Sequence, residues 1–133
     1  LALAEKLGSD LHFLRDPTRG GVATSLNELV NGTTYDIELI ESTIPVLPEA
    51  KSACEMLGLD PLYVANEGVF IAVVSSGLEK EALDILRHFD VSKDAICIGK
   101  VIESGRGRLF VRSSFGGKRV AGKLAGDQLP RIC

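Results

Sequence analysis

The sequence predicts a mixed α/β domain, a single sheet with helices packed on it, followed by a mobile tail. Strand-like and helix-like stretches alternate along the chain in the order β-α-β-α-β-α-β-β. The 133 residues are 45% hydrophobic and 25% charged, enough apolar material to bury a core without disulfides. The last segment, "FGGKRVAGKLAGDQLPRIC", carries no hydrophobic period beyond a short helical turn, so we expect a domain over 1–125 and a flexible tail over 126–133.

The opening "LALAEKLG" reads as a helix stopped by Gly8. "DLHFLR" (10–15) is a short strand. After "DPTRGG", Val22, Leu26, Leu29 and Val30 fall on one helical face, and Asn31-Gly32 ends that helix. "YDIELIE" (35–41) alternates, as a strand with one face in the core does. The prolines of "IPVLPEA" make it a connector. Ala50, Ala53, Cys54 and Leu57 mark a second helical face, closed by Gly58. "VFIAVV" (69–74) is apolar without alternation, the pattern of a central strand covered on both faces. Leu78, Ala82, Ile85, Leu86 and Phe89 stripe a third helix. "AICIGKVIE" (95–103) and "LFVRS" (109–113) are strands, and the intervening "SGRGR" signals a hairpin.

The net charge of −3 argues against nucleic acid as a partner. Charge is uneven, however: Arg106, Arg108, Arg112, Lys118, Arg119 and Lys123 fall in one stretch without an acidic residue. A solvated face explains this more simply than a phosphate or partner surface. The cysteines at 54, 97 and 133 show no CxxC or Cys/His spacing, so no zinc site is expected. Their sparse, odd count predicts a reduced, cytoplasmic protein. No apolar run suits a bilayer span, and no signal peptide is evident. Met56 is the one methionine, and the chain opens in mid-helix. We therefore expect a piece of a longer protein whose far end is native.

Three stretches could carry chemistry. In "RDPTRGG", Asp16 or Thr18 suits a helix N-cap and Pro17 its first turn. Gly20 and Gly21 cost helix stability, which means that something approaches the backbone closely. An anion bound by Arg19 and the bare N–H groups of 20–21 fits; so does plain capping with tight strand–helix packing. In "ANEG", Glu67 stands before a buried strand, where desolvation would suit a general base; on the residues alone an exposed turn acid is the simpler reading. Cys133 ends the chain after Pro130 and Arg131. Its thiol reacts only as thiolate, and on a tether it enjoys a high local concentration at any site within reach. Cys54 and Cys97 read as small core residues. His12 and His88 have no evident partners, and Ser113-Ser114 lacks a nucleophile-elbow context.

"RDPTRGG", "DPLYVANEG", "FGGKR…LAGDQLPRIC" and the terminal "PRIC" together resemble, in order, the C-terminal half of the hydrogenase maturation factor HypE family. That resemblance covers essentially the whole chain. It implies a fold like the C-terminal domain of aminoimidazole ribonucleotide synthetase, with selenophosphate synthetase and thiamine-monophosphate kinase as sister families. It also implies the chemistry of an ATP-dependent carbamoyl dehydratase. Cys133 would receive a carbamoyl group from HypF, and dehydration would leave a thiocyanate. Its cyano group would pass to iron in the HypC–HypD complex, as a cyanide ligand of nickel–iron hydrogenase. Glu67 would serve as base; Arg19, Gly20 and Gly21 would meet the phosphates. ATP and magnesium would be held mostly by an N-terminal domain absent from this sequence, which would also build a homodimer, so this piece alone should be inactive. A sister synthetase or kinase, and a non-enzymatic docking module using the basic stretch, are the alternatives.

Overall fold

A computed structural model describes residues 2–103 and 105–123. The chain divides into two compact units, one of residues 1–15 and 70–97, the other of 16–69 and 98–133. The element order matches the expected alternation, with one strand added at the end. The strands form two sheets rather than one.

In the first unit, α1 (Ala2–Leu7) and α4 (Glu79–Arg87) pack together and bury Leu3, Leu7, Ala82 and Ile85. These are the residues that helical periodicity brings to one face. β1 (Leu11–Arg15) pairs antiparallel with β3 (Ile71–Val74) in a two-stranded sheet. The apolar run 69–74 is therefore not a central strand. Val69 and Phe70 are exposed and precede β3, and its one sheet neighbour is β1.

In the second unit the sheet order is β4-β2-β5-β6. β2 (Tyr35–Ile40) pairs antiparallel with β4 (Gly99–Glu103) and parallel with β5 (Leu109–Arg112). β6 (Lys118–Val120) closes the edge antiparallel to β5. The expected β4–β5 hairpin does not form, because β2 lies between the two. The glycine-rich connection instead passes the end of β2, where Gly105 N–H donates to Thr34 O at 2.9 Å and Ile37 N–H to Arg108 O at 2.9 Å. β6 stands where the sequence promised only a helical turn; all three of its residues are exposed, so it shows no alternation of buried and exposed positions. α2 (Gly21–Val30) lies against β2 and β5. α3 (Pro48–Leu57) buries only Cys54, while Ala50 and Leu57 of its expected stripe stay exposed. Cys97 precedes β4 and is exposed, so it is not a core residue.

The alternation in β2 misleads in one respect. Ile37 and Leu39 are buried as expected, but Asp36 and Glu38, on the opposite face, are buried too, at 5% and 4% exposure. A buried carboxylate must be paired. Glu38 accepts from Arg112 at 2.7 Å and from Lys118 at 3.0 Å, one cation from β5 and one from β6. Lys118 also lies 4.2 Å from the centre of the Phe110 ring, and Arg108 5.1 Å. Asp36 accepts the Arg108 N–H at 2.8 Å.

The Lys118 and Arg112 hydrogen bonds, in that order, hold the Glu38 carboxyl below its ordinary pKa. A group with a depressed folded pKa stabilises the fold above its unfolded value, about 4.3 for Glu, and loses that contribution as pH falls through the folded one. Glu38→Gln is thus expected to lower the urea midpoint at pH 7 and to approach the wild type only as pH falls from about 4 through the depressed folded pKa. A difference that persists undiminished in acid would show that the ion pairs do not carry it.

Candidate functional site

The helix expected to open at Pro17 begins later. Asp16, Pro17, Thr18 and Arg19 precede it, Gly20 occupies the N-cap at φ +66°, and no side chain caps it. Gly21 also has φ +66°. Two successive left-handed residues delay helix entry, so neither Asp16 nor Thr18 serves as the cap.

The close approach inferred from these glycines is real, and at Gly21 the neighbour is the chain itself. A Cβ at Gly21 would lie 2.4 Å from Leu62 O and 2.7 Å from Val64 O. At Gly20 the nearest atoms would be those of Thr24, its Oγ1 at 2.2 Å and its Cβ at 2.7 Å. The start of α2 therefore sits flush on residues 62–64. That segment is shaped by Asp60, whose Oδ1 accepts Leu62 N–H at 3.0 Å and caps the short 3-10 turn Pro61–Tyr63. A second tie follows: Asn66 N–H donates to Pro17 O at 3.1 Å.

The structure thus joins two of the three stretches singled out from the sequence. "RDPTRGG" and "DPLYVANEG" form one junction, with Arg19 exposed on one side and Glu67 exposed on the other. Cys133 lies outside the described residues, but the chain leading to it is fixed here. Ala121 O accepts from Asn27 Nδ2 at 2.6 Å, Gly122 O accepts from the Tyr63 hydroxyl at 2.8 Å, and Arg119 pairs with Asp60 at 2.8 Å. Burial, then the Asp60 carboxylate, pushes the Tyr63 phenol above its ordinary pKa, which keeps it an O–H donor.

Sequence reading missed Asn27, a buried polar residue inside a helix. Asparagine is a poor helix former, and that was the available signal. It also missed partners for both histidines: His12 Nε2 is 2.8 Å from Ser75 Oγ, and His88 Nδ1 contacts Asp84 O. An open depression of about 460 Å³ beside α4, lined by Lys6, Lys80, Asp84, Ile85 and His88, contains none of the candidate residues. Among the described residues no three His, Cys, Asp or Glu side chains converge as a group that could hold a metal ion.

Residues 1–112 match the model of the family described as AIR synthase related protein, C-terminal domain. The chain belongs to that family. It is 50% identical over 123 residues to the carbamoyl dehydratase HypE of Cupriavidus necator, a match covering 92% of this chain and 35% of that protein. The chain thus spans about a third of the length of such relatives. Among solved structures it resembles the hydrogenase maturation protein HypE in complex with ATP, with TM-score 0.85 and 38% identity, over 98% of this chain and 41% of that one. It also resembles a chain of the HypE–HypF complex, with TM-score 0.82 and 37% identity, over 90% and 38% respectively. These matches bear out the family resemblance read from "RDPTRGG", "DPLYVANEG" and "PRIC", and with it the fold class.

The packing at the junction makes a graded prediction. Gly21→Ala should destabilise the protein by about 2 kcal/mol or more, since left-handed strain adds to a clash with immovable backbone. Gly20→Ala should cost about 1 kcal/mol or more, since left-handed strain there is joined by the Thr24 Cβ at 2.7 Å, which no rotation of that side chain moves, although its neighbour is one residue rather than a run of backbone. Chemical denaturation of both variants measures the order; equal losses would mean that the 62–64 contact is not limiting.

Proposed function

We propose that this chain is the thiol-bearing domain of an ATP-dependent carbamoyl dehydratase. The observation that carries the reading is the junction itself. Arg19, the glycine turn and the segment ending in Glu67 are held together, and the chain toward Cys133 leaves from the same place.

In this reading HypF places a carbamoyl group on the Cys133 sulfur. ATP then converts R–S–C(=O)NH2 to R–S–C≡N with release of ADP and phosphate. The carboxamide oxygen leaves as a phosphate oxygen, and both nitrogen protons are lost. An amide oxygen leaves poorly by itself, whereas a phosphorylated one leaves well. Glu67, exposed at its turn, takes a nitrogen proton. Arg19 and the backbone at Gly20 and Gly21 meet negative charge on the transferred phosphoryl group. The exposure of Arg19 leaves its guanidinium open to such a ligand. The product serves the HypC–HypD complex, and the whole protein is a cytoplasmic homodimer whose other domain holds most of the ATP and magnesium. This piece alone binds ATP weakly.

The relatives named carbamoyl dehydratase and the solved complexes with ATP and HypF support the assignment over a sister kinase or synthetase. The docking alternative is weakened by the spending of its charges. Arg112 and Lys118 are engaged with Glu38, and Arg119 with Asp60.

The test uses full-length protein with HypF, its carbamoyl donor and ATP, followed by intact mass. Cys133 should gain a carbamoyl group and then lose one water. Cys133→Ala should show neither step. Glu67→Gln should load normally but dehydrate about 100-fold more slowly or worse; dehydration at the wild-type rate would remove Glu67 from the base role.

A further inference from the structure

We infer that Asn27, Asp60 and Tyr63 are positioning residues that clamp the root of the Cys133 tail beside the junction, fixing the point from which the tethered thiol reaches the site. This inference rests on the carrier reading of Cys133 given above.

Three side chains from two separate stretches converge on residues 119–122. Ala121 is fully buried, and its N–H donates to Leu109 O at 2.9 Å. Its carbonyl takes the 2.6 Å hydrogen bond from Asn27, whose amide also donates to Ala23 O at 2.8 Å. The next carbonyl, of Gly122, takes the Tyr63 hydroxyl. Asp60 divides its oxygens, one to Leu62 N–H and one to Arg119.

The placement of these bonds shows what they hold. The β5–β6 ladder pairs Phe110 with Val120 and so fixes the register of β6 by itself. The Asn27 and Tyr63 bonds fall on the carbonyl of Ala121, whose N–H makes the last hydrogen bond to β5, and on the carbonyl of the next residue, Gly122. They add little to strand pairing and instead fix the exit of the chain. Each anchor stands on an element that also forms the junction, apart from the residues assigned to the chemistry. Asn27 is on α2, the helix that starts at Gly21, and Asp60 and Tyr63 flank Leu62, whose carbonyl faces Gly21. The tail is thereby tied to the elements that carry Arg19 and lead to Glu67.

A tether serves its site only if its origin lies within reach. From Gly122, eleven residues lead to Cys133, a span of at most about 40 Å when fully extended. Releasing the root lets the origin wander and dilutes the thiol at the site. The loss then falls on the intramolecular reaction and spares the chemistry.

The test compares the two routes in the full-length protein. In cis, Cys133 is carbamoylated and water loss is followed over a single turnover with ATP. In trans, the Cys133→Ala form is given a synthetic peptide ending in S-carbamoylcysteine. Tyr63→Phe, which removes only a hydroxyl, should slow the cis reaction about three- to tenfold, as expected for one lost hydrogen bond, and Asn27→Ala, which removes the bonds to both Ala121 O and Ala23 O, should slow it at least as much. Their trans kcat/KM should match that of the Cys133→Ala parent. A cis rate unchanged in Tyr63→Phe overturns the clamp while the dehydratase reading stands. Cis and trans rates falling together also overturn it, since the residues then only shape the site. If wild-type protein itself loses no water, the dehydratase reading fails and the clamp fails with it. Should Asn27→Ala not fold, Tyr63→Phe decides the matter.

Discussion

The candidate site depends on one steric fact, the absence of a side chain at residue 21. Helix α2 seats its first turn against the carbonyls of Leu62 and Val64, at distances no Cβ would permit. The turn that delivers those carbonyls is set by Asp60 and Pro61, and the segment beyond it is tied back by Asn66 to Pro17. Backbone held by backbone leaves little room to shift, which is what a site requires when its polar groups must be in place before substrate arrives. The same helix carries Asn27 and the same turn carries Tyr63, so the exit of the tail inherits that rigidity.

A second constraint organises the sheet on which this junction rests. Glu38 lies buried on the central strand, and burial of a lone carboxylate would be costly. Its two partners come from the two strands beyond it on one side, so the requirement for pairing draws β5 and β6 onto β2 in a fixed register. Lys118 opens β6, two residues before Val120 and three before the buried Ala121. The charge stretch largely keeps the solvent exposure its pattern suggested, and three of its six cations also tie the fold together: Arg112 and Lys118 pair with Glu38, and Arg119 with Asp60.

Much of this was legible in the sequence, for identifiable reasons. The stripes at Leu26 and Val30, and at Ala82 and Ile85, mark core faces because helical periodicity is a local property. The glycine pair signalled a close approach correctly. Pairing was not legible, because it is not local. Nothing in "SGRGR" shows that β2 will insert between its flanking strands, and nothing in "VFIAVV" limits that run to a single partner. Asp36 and Glu38 read as solvent-facing because alternation gives a face, and only distant residues such as Arg112 and Lys118 decide whether that face is covered. The same holds at the site: "RDPTRGG" and "ANEG" were each ambiguous alone, and their adjacency rests on contacts more than 40 residues apart in the chain, Gly21 with Leu62 and Pro17 with Asn66.

The division between fixed and travelling parts follows from the chemistry proposed. A group that is loaded by one protein and altered at a site on another surface must move, and a thiol on a terminal segment moves at no cost to the core. The group that alters it must not move, since catalysis by a positioned base and a positioned cation is lost over distances of an ångström or so. In the proposed reading both demands fall on residues 119–122, where side chains of the junction hold the backbone that leads toward Cys133. Hydrogen bonds to the Ala121 and Gly122 carbonyls suit such a boundary better than apolar packing would. They fix the direction of the chain as well as its position, and they come from side chains already committed to the rigid side. In the clamp we propose, the sequence sets the arm's length, and Asn27 and Tyr63 set its origin.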